Sequence, residues 1–303
     1  MDNGKDTRQI VRSEHGTLAS SIWYCDEIKI GHAVSTFTDY VTIASNSKTD
    51  VVRMHFGLKG NYSFFYKQLH KSFDLIGGHH NIMYSPEFDM EVMNKTLEIE
   101  TFGIQFPKEL FIQYTQDASD SLQRFSERIL KGENSILSES WGAINPSIQQ
   151  VIQQIVSAKY TGEIKNIFLL SKSIELITLC ADSYKVSATS QDLFLKRNSD
   201  KEKIIAVRDL INERVHNPPN LSEIAKAVGL NEYKLKRGFK EMFRTTVFGY
   251  LTEQRLNLAH QYLLDTEKTV AEIGYELGYS TPQHFNNAFK NKFRTTPYSI
   301  KKK

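Results

Sequence analysis

Cysteine is scarce in this 303-residue chain, which limits the cross-links and metal sites it could form. Cys25 and Cys180 lie far apart in the sequence, and neither belongs to a CxxC pair. A structural zinc site needs more ligands than two isolated thiols provide. We therefore expect two reduced thiols in apolar surroundings, no bound metal and no cofactor.

Long hydrophobic runs are missing as well. No apolar stretch approaches the ~20 residues that are needed to cross a bilayer. The first residues, MDNGKDTRQIVRSEHG, are polar and of mixed charge, unlike a secretory signal. We therefore expect no membrane partner and a cytoplasmic location.

The whole chain lacks a large excess of charge of one sign, but its parts do not. The formal net charge is +3. Residues 201–303 contain 18 Lys and Arg against 11 Asp and Glu, a net charge of +7, which leaves −4 for residues 1–200. The basic third is therefore a candidate to bind a polyanion, whereas the acidic remainder is not.

Short β-branched and aromatic runs fill the chain from about Ser21 to Phe106. Gly, Asn, Pro and Asp separate these runs, which is typical of a small antiparallel barrel or sandwich. The step at Gly60, between two of the runs, predicts a hairpin. We assign residues 1–106 to a β domain.

Helical periodicity replaces the strand pattern in residues 107–186. Asn145 precedes one predicted helix, and a second is predicted from Glu163 to about Tyr184. The apolar stripe of the second helix comprises Ile167, Leu170, Ile174, Ile177 and Ala181. Either this stripe packs only within its own domain, or it also contributes to a dimer.

A polar stretch, residues 187–200, follows this helical segment and is interpreted as an interdomain linker. Residues 201–303 are helical throughout. The predicted fold class is therefore α+β, with a β-barrel or sandwich and a helical segment followed by an all-α domain.

One ten-residue phrase occurs twice in the all-α domain, fifty residues apart. It reads FKEMFRTTVF from Phe239 to Phe248 and FKNKFRTTPY from Phe289 to Tyr298, with six identical positions. Each copy follows a short helical pattern and a turn glycine, Gly229 or Gly278. Such a repeat indicates one supersecondary unit used twice. Here the unit is a helix-turn-helix, and a helix from Val247 to about Asp265 joins the two copies.

The second helix of each unit places phenylalanines inward and polar residues outward. Arg and Lys can donate to guanine, and Asn and Gln can pair with adenine. The predicted base-reading residues are Tyr233, Lys234, Lys236, Arg237, Gln283, His284, Asn286 and Asn287. The predicted phosphate contacts are Asn231, Lys240, Arg244, Thr281, Lys290 and Arg294. Double-stranded DNA is thus the predicted partner, contacted in two major grooves ~34–36 Å apart.

Four phrases carry a family resemblance: LSEIAKAVGL, RLNLAHQYLLDT, VAEIGYELGY and FKNKFRTTPYS. Through these phrases, residues 203–303 resemble the DNA-binding domain of AraC-family transcription regulators. The phrase GLNEYKLKRGFKEMFRTTVFGYL is similar in particular to the siderophore-responsive, pyochelin regulator-like branch. The central segment SIQQVIQQIVSAKYTGEIKNIFLLSKSIELITL resembles that branch as well.

This resemblance implies a cupin-like N-terminal sensor barrel, a helical dimerisation segment, a homodimer, and binding near promoters, where RNA polymerase is a candidate partner. It also implies an iron–siderophore as the small-molecule effector. The family commonly has Gly where Arg244 and Arg294 stand, so either the turn differs or the arginine contacts phosphate. The second reading helix often carries Arg where Asn287 stands, so we expect weaker base readout there.

The N-terminal half offers few candidate site residues. Arg53 and His55 are two residues apart, hence on one face of a strand, and are the candidate effector contacts. His79 and His80 are adjacent and point to opposite faces, which argues against a cupin metal site. We expect an effector-controlled regulator and no enzyme activity. The alternatives are a DNA-binding regulator without an effector and a metal-dependent cupin enzyme. Activation or repression stays open.

Overall fold

The computed structural model describes residues 6–118, 120–188, 194–195 and 197–301. The chain divides into two compact units, Met1–Gln191 and Asp192–Lys303. Much of the predicted linker, residues 189–193 and 196, lies outside the described residues. Within the described ranges, no helix is both long and apolar enough to span a bilayer.

Antiparallel strands build most of the first unit. They are β1 Thr7–Ser13, β2 Gly16–Cys25, β3 Ile28–Phe37, β4 Thr42–Ser47, β5 Val51–Lys59, β6 Asn61–Tyr66, β7 Lys71–Ile76, β8 His79–Ser85, β9 Phe88–Asn94, β10 Glu98–Pro107, β11 Ser135–Ile136 and β12 Gly142–Ala143. The larger sheet has the order β1-β2-β3-β10-β5-β8-β11, with β12 also paired to β8, and the smaller has the order β4-β9-β6-β7.

The strand region begins earlier than the sequence predicts. β1 and the first part of β2 precede Ser21, and every residue of β1 is exposed. An exposed edge strand has no buried face, so its sequence need not alternate between apolar and polar residues. β11 and β12 lie inside the segment predicted to be helical, and two residues each are too few to form a recognisable strand pattern.

The step at Gly60 is a turn, but the predicted hairpin is wrong. β5 pairs with β10 and β8, whereas β6 pairs with β7 and β9 in the other sheet. Because both edges of β5 are occupied, the chain crosses to the smaller sheet. Gly60 permits this crossing: its φ is 83°, and a Cβ there would lie 2.1 Å from the Glu98 carbonyl oxygen.

Four helices cover the outer face of the larger sheet. They are α1 Lys108–Thr115, α2 Asp120–Leu130, α3 Pro146–Val156 and α4 Gly162–Ala188. Val52, Met54 and Phe56 of β5 share one buried cluster with these helices. Alternation along the strand therefore turns Arg53 and His55 toward the smaller sheet. Those two side chains contact aromatic rings of β9 and β6.

Helix α4 confirms the predicted helix but buries only part of the predicted stripe. The buried residues are Leu169, Ser173, Leu176, Ile177, Cys180, Ala181 and Tyr184. Ile167, a member of the predicted stripe, is 69% exposed, and Ile164 is 64% exposed. Apolar residues lie around most of this helix, so periodicity alone did not select its buried face.

Buried polar groups tie α4 to the sheet. His80 of β8 is fully buried, with its Nε2 3.1 Å from Ser183 Oγ, and the Tyr184 hydroxyl donates to the His80 carbonyl oxygen at 2.8 Å. Burial lowers the pKa of His80 to about 3. His79 instead contacts the Ile76 carbonyl, so the adjacent histidines do not share a site. Cys25 and Cys180 are free and buried, as predicted.

The second unit is helical in its described residues. Its helices are α5 Asn198–Glu213, α6 Leu221–Val228, α7 Glu232–Phe243, α8 Val247–Asp265, α9 Val270–Glu276, α10 Pro282–Phe293 and α11 Pro297–Lys301. The pairs α6–α7 and α9–α10 confirm the two predicted helix-turn-helix units, and α8 confirms the helix between them. With the two sheets of the first unit, these helices confirm the predicted α+β class.

Candidate nucleic-acid interface

Local signals fix the turn of each helix-turn-helix unit. Gly229 and Gly278 adopt φ angles of 65° and 77°, which other residues rarely take. Asn231 then caps α7 by accepting the N–H of the third helical residue at 2.7 Å, and Thr281 caps α10 in the same way at 3.2 Å. The side chains of these two predicted phosphate contacts therefore stabilise helix ends. A phosphate at either end would meet backbone N–H groups.

Helix α7 separates an aromatic inner face from a polar outer face. Its buried inner residues are Leu235, Phe239 and Phe243. The predicted contacts that are exposed on its outer face are Tyr233, Lys236, Arg237 and Lys240. Lys234 differs from them, because it is half-buried and forms an ion pair with Asp200 at 3.0 Å.

Arg237 is held in one orientation on this outer face. Its Nη1 donates to the Tyr233 hydroxyl at 3.0 Å. Its guanidinium carbon lies 4.4 Å from the centroid of the Phe194 ring, which belongs to the segment before α5. A guanidinium that is both exposed and oriented is suited to bidentate recognition of guanine.

Helix α10 repeats the inner face of α7 but not its outer face. Phe285 and Phe289 are buried, and Phe293 is half-buried. The predicted contacts that are exposed here are Gln283, His284, Asn287 and Lys290. Asn286 is half-buried, and its Oδ1 is buried without a hydrogen-bond partner among the described residues.

The arginines that follow the two reading helices take the backbone conformation of a glycine. Arg244 and Arg294 both have a φ of 58°, and their N–H groups close the final turn by donating to Lys240 and Lys290. The suggestion that the turn differs is therefore wrong. Both arginines are exposed, and their contact with phosphate stays a prediction.

Arg255 of α8 is a structural link that sequence reasoning missed. Its Nε donates to the Val215 carbonyl at 2.9 Å and its Nη2 to the His216 carbonyl at 3.2 Å. Its Nη1 donates to the carbonyl of Gly278 at 3.4 Å. The Arg255 side chain thus joins the loop after α5 to the turn of the second helix-turn-helix, between α9 and α10. The residue lies in the phrase RLNLAHQYLLDT, but a single arginine has no spacing that would reveal this role.

A cavity of about 170 Å³ lies beside the inner face of β5 in the first unit. Its lining includes Arg53 and His55, the two candidate effector contacts. Gly31 and Gly103, which pair across β3 and β10, also line it. A Cβ at Gly31 would meet no atom within 4 Å, so the missing side chain leaves open space.

The cavity carries a positive charge that is not balanced within it. Arg53 Nε is buried with no hydrogen-bond partner among the described residues, and the guanidinium lies 4.0 Å from the centroid of the Phe88 ring. His55 is half-buried, and its Nε2 is 2.5 Å from the Tyr62 hydroxyl oxygen. Burial, followed by the charge of Arg53, lowers the pKa of His55 to about 4. A neutral histidine beside an unpaired arginine favours an anionic ligand.

Known protein families match parts of both units. A helix-turn-helix domain model matches residues 224–303, and the model of the regulatory protein PchR N-terminal domain matches residues 30–193. Regulatory protein PchR of Pseudomonas aeruginosa is 35% identical over 124 residues, which are 41% of this chain and 42% of that protein. The match therefore spans less than half of the length of that relative.

Two further matches cover about a third of the chain each. Regulatory protein SoxS of Escherichia coli is 33% identical over 94 residues, or 30% of this chain and 88% of that protein. The crystal structure of an AraC-type regulator from Chromobacterium violaceum is 30% identical, with a TM-score of 0.33, and covers 35% of this chain and 95% of that one. The PchR N-terminal model alone covers more than half of the chain. The chain belongs to the AraC family of regulators, in its PchR-like branch.

Proposed function

We propose that this chain is a sequence-specific, DNA-binding transcription regulator that responds to a small molecule. The observation that carries the proposal is the pair of helix-turn-helix units, each with a capped second helix. Both helices expose polar residues and bury phenylalanines. This is the arrangement in which a recognition helix enters a major groove with its N-terminal residues against the bases.

The two reading helices offer different chemistry. On α7, Arg237 and Lys236 are exposed donors suited to guanine O6 and N7. On α10, Gln283 and Asn287 are suited to adenine, and no arginine stands among the predicted base contacts. We therefore expect each protomer to recognise two unlike base sequences, with stronger discrimination in the groove that α7 enters.

Helix α8 supports a fixed spacing between the two recognition helices, α7 and α10. Its 19 residues extend for ~28 Å, which approaches the ~34–36 Å between successive major grooves on one DNA face. Through three carbonyl groups, Arg255 links α8 to the loop after α5 and to the turn of the second helix-turn-helix. A unit connected in this way would bind both grooves together.

The cavity of the first unit supports control by an effector. A regulator without an effector would be expected to fill this space with side chains, whereas two glycines open it beside an unpaired arginine. An anionic effector fits this charge, and the family resemblance suggests an iron–siderophore. The enzyme alternative has less support, because the family models and relatives that match are regulatory proteins. Among the residues that the structure describes, no group of three or more His, Cys, Asp and Glu side chains could hold a metal ion.

A homodimer through α4 is the remaining part of the proposal. Ile164 and Ile167, three residues apart on α4, are 64% and 69% exposed, and Tyr160, just before the helix, is 52% exposed. Neighbouring apolar side chains on one exposed helical face mark a site of association more often than scattered ones do. RNA polymerase stays a candidate partner through the family resemblance alone.

The DNA-reading proposal is tested by selecting sites from random duplexes and then comparing two variants on the selected site. Arg237→Ala should cost ~1–3 kcal/mol and relax specificity at one base pair, because it removes a bidentate base contact. Lys240→Ala, the matched control on the same helix, should weaken binding to all sequences alike and reduce the salt dependence. An Arg237→Ala protein with unchanged specificity would show that α7 does not read that base.

A further inference from the structure

The short segment before α5 is fastened to the recognition helix α7. The backbone N–H groups of Phe194 and Leu195 donate to the two carboxylate oxygens of Glu241, at 2.9 and 3.1 Å. Leu195 is only 3% exposed. Hydrogen bonds to a charged carboxylate are among the stronger ones in proteins, so this segment is held on the helix and does not merely pass over it.

A glycine inside α7 accommodates the segment. A Cβ on Gly238 would lie 2.9 Å from Leu195 Cδ2 and 3.0 Å from Ile204 Cδ1. Glycine in the interior of a helix is destabilising, so its presence at Gly238 is explained by the close approach of these two side chains. The packing therefore depends on the segment being in place.

Phe194 reaches the outer face of α7 from this anchored segment. Its ring lies under the Arg237 guanidinium at 4.4 Å and meets the Tyr233 ring edge-on, with centroids 6.1 Å apart and planes at 89°. Arg237 also donates to the Tyr233 hydroxyl. The three side chains form a cluster in which the guanidinium has an aromatic surface on one side and an acceptor on another.

This cluster supports the reading surface and does not cover it. Tyr233 is 64% exposed and Arg237 remains exposed beside Phe194. Asp200, in the first turn of α5, holds Lys234 in an ion pair, so that lysine is not among the exposed base-reading candidates. The segment before α5 thus contacts Tyr233 and Arg237 on α7, whereas Lys234 is held by α5 itself.

We propose that Phe194 is a positioning residue for DNA recognition, which orients the Arg237 guanidinium from the segment that precedes the DNA-binding helices. The proposal rests on the proposed reading of a guanine by Arg237. An arginine whose orientation is set before binding loses less conformational freedom when it forms a bidentate contact. Phe194 therefore acts on specificity at one base pair without touching DNA.

The test uses the full chain and two duplexes, the selected site and the same site with the Arg237-dependent base pair replaced. Phe194→Leu keeps an apolar side chain and removes the aromatic face. It should reduce the ratio of the two affinities roughly two- to fivefold, the range of an exposed cation–π contact. The salt dependence should not change. Phe194→Tyr, which restores an aromatic face, should restore the ratio.

A double-mutant cycle with Arg237→Ala separates positioning from general stability. In that background, Phe194→Leu should leave the ratio of affinities unchanged, because the group it orients is gone. Equal loss of affinity for both duplexes, or the same loss of ratio with and without Arg237, would overturn the positioning role. If Arg237→Ala alone left the ratio unchanged, the base-reading assignment would fail first, whatever Phe194 does.

Discussion

At the scale of single residues, burial decides which groups can carry charge. His55 and Arg53 lie on the same face of β5, yet burial opposes the charged form of both. Arg53 keeps its proton even so, because the pKa of a guanidinium starts far above neutrality. His55 loses its proton, because its pKa falls to about 4 from an ordinary value of 6.5. One face of one strand thus presents a cation beside a neutral ring.

The depressed pKa of His55 predicts that the first unit loses stability in acid. The unfolded chain binds a proton at His55 near pH 6.5 and the folded chain near pH 4. The unfolded state therefore holds more protons across that window, and the free energy of unfolding falls as pH decreases, by up to about 3 kcal/mol for this group. His80 acts in the same direction.

Unfolding by urea at pH 7.5 and pH 4.5 checks this expectation. His55→Gln should unfold with a smaller difference between the two pH values than the wild-type chain. His15→Gln, at an exposed histidine, is the matched control and should keep the wild-type difference. A His55→Gln chain with an unchanged pH dependence would contradict the assignment.

Residue types with local roles were predictable from the sequence, whereas those with distant partners were not. Gly229 and Asn231 follow rules for turns and caps that involve only adjacent residues. Arg255 and Phe194 act on groups about 40 residues away along the chain, and no spacing within the sequence marks such pairs. Arg53 and His55 fall between these cases, because strand alternation predicted their shared face and suggested a pocket, but not the two glycines that open it.

At the scale of elements, α8 is the central helix of the second unit. Tyr250 near its start meets the rings of Phe239 and Phe243 on α7, and its later residues Leu256, Ala259 and Leu263 pack with α9 and α10. Its apolar contacts therefore join the two helix-turn-helix units. Arg255, midway along α8, adds hydrogen bonds to the loop after α5 and to the turn at Gly278.

Replacing Arg255 should loosen this connection. Arg255→Lys keeps the charge but loses the planar fork, so one compact ammonium cannot reach all three carbonyl groups. We expect unfolding to become easier by about 1–3 kcal/mol, and affinity for a two-groove site to fall more than affinity for either half. Thermal unfolding and titration with full and half duplexes measure the two effects.

Arg214→Lys is the matched control for this experiment, because Arg214 is an exposed arginine at the end of α5. It should change unfolding by less than about 0.5 kcal/mol. Equal effects of the two substitutions would contradict a linking role for Arg255.

Elements were predicted best where their sequence patterns had one explanation. The helix-turn-helix units combine turn glycines, caps and phenylalanines that all favour the same structure. α4 was predicted as a helix, but its nearly continuous apolar surface did not specify a face. The corner at Gly60 resembled a hairpin, because the sequence does not show that both edges of β5 are already paired.

At the scale of the whole molecule, charge and exposed apolar surface indicate different partners for the two units. The basic second unit suits DNA, and the division of charge was visible in the sequence. Ile167 belongs to the predicted stripe of α4, for which both packing within the domain and a dimer contact were left open, and Ile164 lies outside that stripe. The sequence therefore indicated this helix as a candidate dimer contact but did not decide whether it dimerises.

Native mass spectrometry of the purified chain should show a dimer with a bound small anion. Ile164→Lys combined with Ile167→Lys should give a monomer, because two charges would have to be buried at the interface. Leu130→Lys, at a residue that is 61% exposed on α2, is the control and should stay dimeric. Arg53→Met should lose the small anion and remain a dimer. A dimer in every variant would exclude the α4 surface.

The contact between Phe194 and Arg237 has a practical consequence for fusing this DNA-binding domain to other sensor domains. Judged by helices alone, the portable DNA-binding module begins at Asn198, where α5 starts. A fusion made there would discard the aromatic support of Arg237 together with both N–H groups that bind Glu241. A junction at or before Asp192 keeps these contacts. Two chimeras of nearly equal length would therefore differ in the sequence specificity of their DNA binding.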